Sequence, residues 1–162
     1  MALNAYLKLT GEAQGEVKGS CTQADREDSI EVFGFNHEVL SPRDAASGLP
    51  TGKRQHKPLV ITKAMDKATP LLMNILVNNE NITVWEIKFF RPSRTGTEEF
   101  YYSIELENAN ICSIRPEQLN NKYPENMPHE VREHVSFTYQ KIIWTWQDGG
   151  VTAEDDWESP VA

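Results

Sequence analysis

A chain of 162 residues, 39% hydrophobic and 25% charged, has the apolar content for one domain around one core, and no apolar run approaches the roughly 18 residues that a membrane span needs. Sixteen basic residues against 24 acidic ones leave a formal charge of -8, which opposes binding to nucleic acid or to an anionic lipid surface. Cys21 and Cys112 match no zinc or redox spacing and read as two free thiols of a reducing compartment. Met1 to Leu9 lack the basic and continuous apolar regions of a secretory signal, so any export is expected to use another route.

In chain order, Leu3, Ala5, Leu7 and Leu9 alternate with Asn4, Tyr6 and Lys8, the period of a half-buried strand. Gly11, Gly15 and Gly19 punctuate a turn-rich stretch before a second strand from about Ser29 to Leu40, in which Gly34 predicts a bulge. Ser41 to Gln55, with two prolines and two glycines, reads as a loop of a length kept for function or disorder. A strand through Leu59 to Thr62 follows. Thr69-Pro70 then supplies an N-cap and a first-turn proline for one short helix over about 70–78, with Leu71, Leu72, Ile75 and Leu76 along its apolar stripe.

Beyond the helix, strands are predicted at Ile82 to Phe90, Glu99 to Leu106, Asn110 to Ile114 and His134 to Trp146, with Trp85, Ile87 and Phe89 sharing a face. Arg115 to Val131 forms a second long loop. The acidic segment from about 149, ending in Asp155, Asp156 and Glu158, is expected to be a tail that is mobile or docked on a neighbour. The layout is a mainly β single domain over 1–162 with no internal repeat.

No motif points to catalysis, a cofactor or a metal. Gly48 to Arg54 is one residue short of a phosphate loop and has Arg54 where a magnesium-binding hydroxyl belongs. His129 and His134 are five residues apart, which points their rings away from each other on a helix or a strand, so a zinc site is not expected. No nucleophile elbow or dinucleotide fingerprint accompanies the strands. Trp144 and Trp146 on one strand face suit core or subunit-interface packing better than a sugar platform. Lys53, Arg54, His56 and Lys57 form the one local basic cluster, for which an acidic patch on another copy of the chain is the expected counterpart.

Two segments carry a family resemblance. His56-Lys-Pro-Leu-Val-Ile-Thr-Lys-Ala-Met-Asp-Lys-Ala-Thr-Pro-Leu-Leu72 resembles the strand-to-helix signature of Hcp proteins, and Val135-Ser-Phe-Thr-Tyr-Gln-Lys-Ile-Ile-Trp-Thr-Trp146 resembles a second Hcp segment. The opening strand, Leu106 to Ala109 and Asp155-Asp-Trp157 extend the likeness over nearly the whole chain; Ile143, where many relatives have Glu, is a local departure. The resemblance implies a β-barrel of two packed antiparallel sheets with a flanking helix, acting not as an enzyme but as the tube protein of bacterial type VI secretion. It implies homohexameric rings that stack inside a contractile sheath on a baseplate, with a spike protein at the tip and effectors held in the lumen. It also implies a cytoplasmic stage before firing. No room is expected for a fused toxin.

On that resemblance, Ser41 to Gln55 is expected to bridge subunits or rings, with Arg43, Asp44, Lys53, Arg54, His56 and Lys57 as contact residues. The rival readings are a monomeric β-sandwich module binding sugar or peptide and, behind it, a hydrolase using acidic residues.

Overall fold

The computed structural model describes residues 3–158. In chain order the strands are β1 (Ala5–Gly11), β2 (Gly15–Val17), β3 (Ile30–Val32), β4 (Gly34–Asn36), β5 (Val39–Leu40), β6 (Gln55–His56) and β7 (Leu59–Ala64), followed by helix α1 (Thr69–Val77). Then come β8 (Ile82–Pro92), β9 (Glu98–Glu107), β10 (Asn110–Glu117), a 3-10 turn at Pro124–Asn126, β11 (Arg132–Thr138), β12 (Lys141–Trp146) and β13 (Val151–Asp156). A seven-stranded sheet runs β13-β12-β9-β8-β1-β2, with β3 also on β1; a four-stranded sheet runs β10-β11-β7-β4; β5 and β6 pair by themselves. Every pairing between these strands is antiparallel.

Alternation decides which residues face inward. Ala5, Leu7 and Leu9 of β1, Trp85 and Ile87 of β8, Ile104 and Leu106 of β9, and Ile142 of β12 supply the buried face of the large sheet. Leu59 and Ile61 of β7 with Val135 and Phe137 of β11 supply that of the small one. The two faces join in one apolar cluster, and the Trp85 indole meets the Phe137 ring edge-on at 5.3 Å. Leu3, by contrast, is exposed, so the first strand starts later than its alternation suggests.

Two predicted strands prove to be places where the chain changes sheets. Between Val32, paired with Ala5, and Gly34, paired with Thr62, the chain leaves the large sheet for the small one. The expected bulge at Gly34 is therefore a corner; a Cβ there would sit 3.2 Å from the Thr62 side chain, so glycine lets β4 lie close against β7. The expected strand His134 to Trp146 is likewise two strands, β11 in the small sheet and β12 in the large one. Its inward residues shift from odd positions (Val135, Phe137, Tyr139) to an even one (Ile142), a change of parity that one straight strand cannot accommodate. At Gly19 a Cβ would stand 2.3 Å from the Ser29 carbonyl oxygen, which only glycine avoids.

Parity also buries a charge. Lys63 lies in register with Glu133, both on the inward face and both fully buried. The Lys63 ammonium binds the Glu133 carboxylate, lies 3.0 Å from Asp66 Oδ1, and donates to the Ala64 carbonyl at 2.9 Å. The Thr69 hydroxyl donates to the same Glu133 oxygen at 2.9 Å. This explains why Thr69 is not the N-cap: its hydroxyl is drawn to charged partners, which bind more strongly than neutral ones, and Asp66 instead accepts from the Ala68 N–H at 3.0 Å. The helix ends with Asn79 at φ 49° and bonds from Asn79 N–H to Leu76 and Glu80 N–H to Ile75, a Schellman motif. Leu72 and Ile75 are fully buried and Leu76 packs on the core, whereas Leu71 is exposed, so the apolar stripe is narrower than predicted.

Substituting Lys63→Met leaves the Glu133 charge buried with a single hydroxyl partner, and should cost about 3–5 kcal/mol in urea unfolding. Adding Glu133→Leu should restore most of that loss; a single variant as stable as the parent would contradict this account.

Candidate functional site

Residues 39–56 form an arm. At its base β5 and β6 pair, Val39 opposite His56 and Leu40 opposite Gln55. Further out, Arg43 bridges to Pro50, Thr51 N–H donates to the Pro42 carbonyl at 3.0 Å, and Asp44 N–H donates to the Leu49 carbonyl at 2.8 Å. The Asp44 carboxylate accepts from the Ser47 N–H and hydroxyl at 2.7 and 2.6 Å, bonds that hold its pKa below the ordinary value. Gly48, at φ 73°, makes the reversal at the tip. The predicted loop is thus an ordered hairpin-like projection that exposes Arg43, Leu49, Pro50 and Lys53.

The arm is fastened to the end of the same chain. Arg54 donates from Nε and Nη2 to the two Asp155 oxygens at 2.5 and 2.7 Å, and from Nη2 to the Asp156 carbonyl at 2.9 Å. His56 Nε2 lies 2.7 Å from Asp155 Oδ2, and its Nδ1 lies 2.7 Å from the Tyr139 hydroxyl, which is also 2.7 Å from His37 Nε2. The Trp157 indole N–H donates to the Tyr139 carbonyl at 2.5 Å, and its ring leans on His56 at 5.8 Å. Within the chain, the counterpart of Arg54 and His56 is Asp155. Asp155 can serve because the acidic segment from about 149, read as a mobile or neighbour-docked tail, pairs along β12 as strand β13 over 151–156.

Of the six predicted contact residues, the structure brings Arg54 and His56 together at the root. Arg43 and Asp44 stand out on the arm, and Lys53 and Lys57 are exposed at either side of the root. Sequence reading missed His37, Tyr139 and Asp155 as partners of this cluster. Their signal was present, since Tyr139 and Asp155 lie in the segments that carry the family likeness, but nothing in spacing says that positions about one hundred residues apart meet.

The outward face of the large sheet is acidic. In register across five strands lie Lys8, Glu86, Glu105, Ile143 and Glu154. Burial, then the Glu86 and Glu107 charges, raise the Glu105 pKa. A Glu at 143 would fall directly between Glu105 and Glu154, so isoleucine relieves like-charge crowding there. Trp144 packs against the core, while Trp146 meets the Tyr101 ring at 5.7 Å and lies under the Arg91 guanidinium at 5.2 Å, leaving no open two-tryptophan platform. His134 binds Thr62 and Glu117, and among the described residues no group of three His, Cys, Asp or Glu could hold a metal ion. Among them, too, no helix is long and apolar enough to cross a membrane.

A family model described as "Type VI secretion system effector, Hcp" matches residues 6–146. The chain belongs to the Hcp family. Among relatives, a Pseudomonas aeruginosa protein named "Major exported protein" is 46% identical over 171 residues, covering all of this chain and 99% of that protein. The Escherichia coli K12 protein named "Uncharacterized protein YhhZ" is 30% identical over 85% of this chain, which spans 33% of YhhZ. The structure described as "Crystal structure of Hcp protein" superposes with TM-score 0.91 at 30% identity, over 98% of this chain and 100% of that one. "Secreted protein Hcp3 from Pseudomonas aeruginosa" superposes with TM-score 0.79 at 38% identity, over 98% and 100%. Hcp membership places the chain in type VI secretion, among exported proteins, with the mainly β fold and single helix of its relatives.

At the arm root, Asp155 is held below its ordinary pKa chiefly by the bond from Arg54, then by that from His56. A depressed carboxylate contributes stability that is present above the ordinary value of about 3.9 and lost as the pH falls through its lowered one, so the Arg54–Asp155 pair persists across neutral and mildly acidic pH. Replacing Asp155 by Asn should loosen the arm and speed tryptic cleavage after Lys53 and Arg54 roughly tenfold, the worth of one such bond. Unchanged cleavage would mean that the arm is held elsewhere.

Proposed function

We propose that this Hcp chain is the tube subunit of a type VI secretion system, six copies closing into a ring and rings stacking into the tube that sheath contraction expels. The observation that carries the reading is the likeness to Hcp structures over 98% of the chain at TM-score 0.91. The geometry supplies the physical means. Within one chain, β13 and β10 end their sheets with one side unpaired by a neighbouring strand, and such edges accept neighbours. A contact between two different surfaces, repeated about an axis, closes into a ring, and a second axial contact then builds a tube.

In this reading the arm reaches the neighbouring copy or ring, with Arg43, Asp44, Lys53 and Lys57 at the contact and Arg54 and His56 holding the arm in place. The partners are further copies of itself, the spike, the sheath and baseplate, and effector proteins carried in the lumen. The chain is made in the bacterial cytoplasm and leaves when the system fires. Its role is structural, with no chemical step on a substrate.

Light scattering after gel filtration should give about 110 kDa, six copies of an 18.4 kDa chain, and negative stain should show rings. A stable monomer at high concentration would sink this reading and favour a ligand-binding β-sandwich.

Replacing residues 42–53 by a two-residue turn should leave the sheets folded but stop tube growth, and normal tubes from that variant would refute the role of the arm. Because the arm contacts include charges, raising salt beyond physiological strength should shorten tubes before it unfolds the chain.

A further inference from the structure

At the root of the arm one hydroxyl serves two imidazoles, and the count of protons there is limited. Asp155 is an acceptor, so the His56 Nε2 facing it at 2.7 Å carries hydrogen. With both histidines neutral, His37 Nε2–H donates to Tyr139 Oη, and the Tyr139 hydroxyl donates to His56 Nδ1. One added proton fits without breaking a bond. It enters at His37 Nδ1, the Nε2 proton of His37 passes to Tyr139, and the former hydroxyl proton passes to His56 Nδ1. The positive charge then sits on His56 against Asp155.

A second proton does not fit. With both imidazoles charged, Tyr139 would accept from each, its own O–H would point at no acceptor, and two like charges would flank one oxygen. Tyr139 is 5% exposed, so water does not readily repair the loss.

We propose that Tyr139 makes the arm root a latch that holds one extra proton and that a second proton, on His37, loosens the base of the arm around Tyr139. The charged groups around it are fixed by the fold. Arg54 comes from the arm, Asp155 and Asp156 from β13, and Glu38 and Lys57 stand exposed beside the hairpin base. Burial, then the nearby His56, lower the His37 pKa. Burial, then the Asp155 charge, raise that of Tyr139, which keeps its proton throughout. The contribution of neutral His37 is therefore fully present above its unfolded value of about 6.5 and is lost as the pH falls through its lowered folded value. Acidification weakens the latch in a range where Arg54–Asp155 is still intact. That the latch governs contact between copies rests on the reading of the arm given above; the latch itself does not.

Hydrogen exchange read by mass spectrometry tests it, on species of equal mass separated by gel filtration before labelling. Between about pH 7.5 and about pH 5.5, and after correction for intrinsic exchange, peptides spanning 37–57 should lose roughly tenfold in protection while β8 and β9 do not. His37→Gln keeps a polar partner for Tyr139 without titrating, and its arm should stay protected at both pH values. Tyr139→Phe should give an arm that is loose at both. Wild-type protection that ignores pH, or a His37→Gln arm that loosens as the wild type does, overturns the latch. Mass bears on the ring and the variant comparison bears on the latch, so either reading can fail alone.

Discussion

The seam between the two sheets, where the Trp85 indole meets Phe137, is the contact on which the rest of the molecule depends. Both sheets must present an unbroken apolar face to it, and each strand's alternation sets which residues those are. Every corner follows from that requirement. The chain passes directly from one sheet to the other where the inward parity changes, at Phe33–Gly34, at Asn108–Ala109 and at Tyr139–Gln140. The same rule carries Lys63 and Glu133 inward, because they share parity with Ile61 and Val135. Their charges are tolerated there since each has partners, and those partners tie the entry of α1 to the small sheet.

The corner at Tyr139 does more than turn the chain. It places a nearly buried hydroxyl between the base of the arm and strand β13, so that the arm, the β11–β12 turn and the C-terminal strand meet at one point. A projection of about fifteen residues would otherwise be held by two pairs of backbone partners at β5–β6. A bidentate guanidinium–carboxylate pair and three aromatic rings fasten it instead, which fixes where its exposed tip stands relative to the sheet edges. A protein that assembles through such a projection needs that placement, since a mobile arm would lose ordering entropy on each contact.

Much of this was legible in the sequence. Alternation at Leu7 to Leu9, Trp85 to Phe89 and Leu59 to Ile61 defines strands with a buried side, and Thr69-Pro70 marks the helix start to within a residue. The likeness in His56–Leu72 and Val135–Trp146 pointed to the Hcp family, which the match over residues 6–146 establishes. The parity change between Tyr139 and Ile142 was also visible, though a continuous apolar run conceals it unless odd and even positions are counted separately. The acidic run after 149 was read from its charge, which says solvent; its pairing with β12 comes from backbone bonds that composition does not encode.

The sequence by itself determined the class of fold, the family and the inward faces of most strands, because those depend on local periodicity and on ordered motifs along one chain. Only the tertiary structure decided that Arg54 and His56 find Asp155 in their own chain, that His37 shares Tyr139 with His56, and that Lys63 is buried. The physical reason is separation. Hydrogen bonds and ion pairs act over a few ångströms, and the residues that make these lie between 70 and 102 positions apart, so their meeting is set by sheet register rather than by any spacing in the chain.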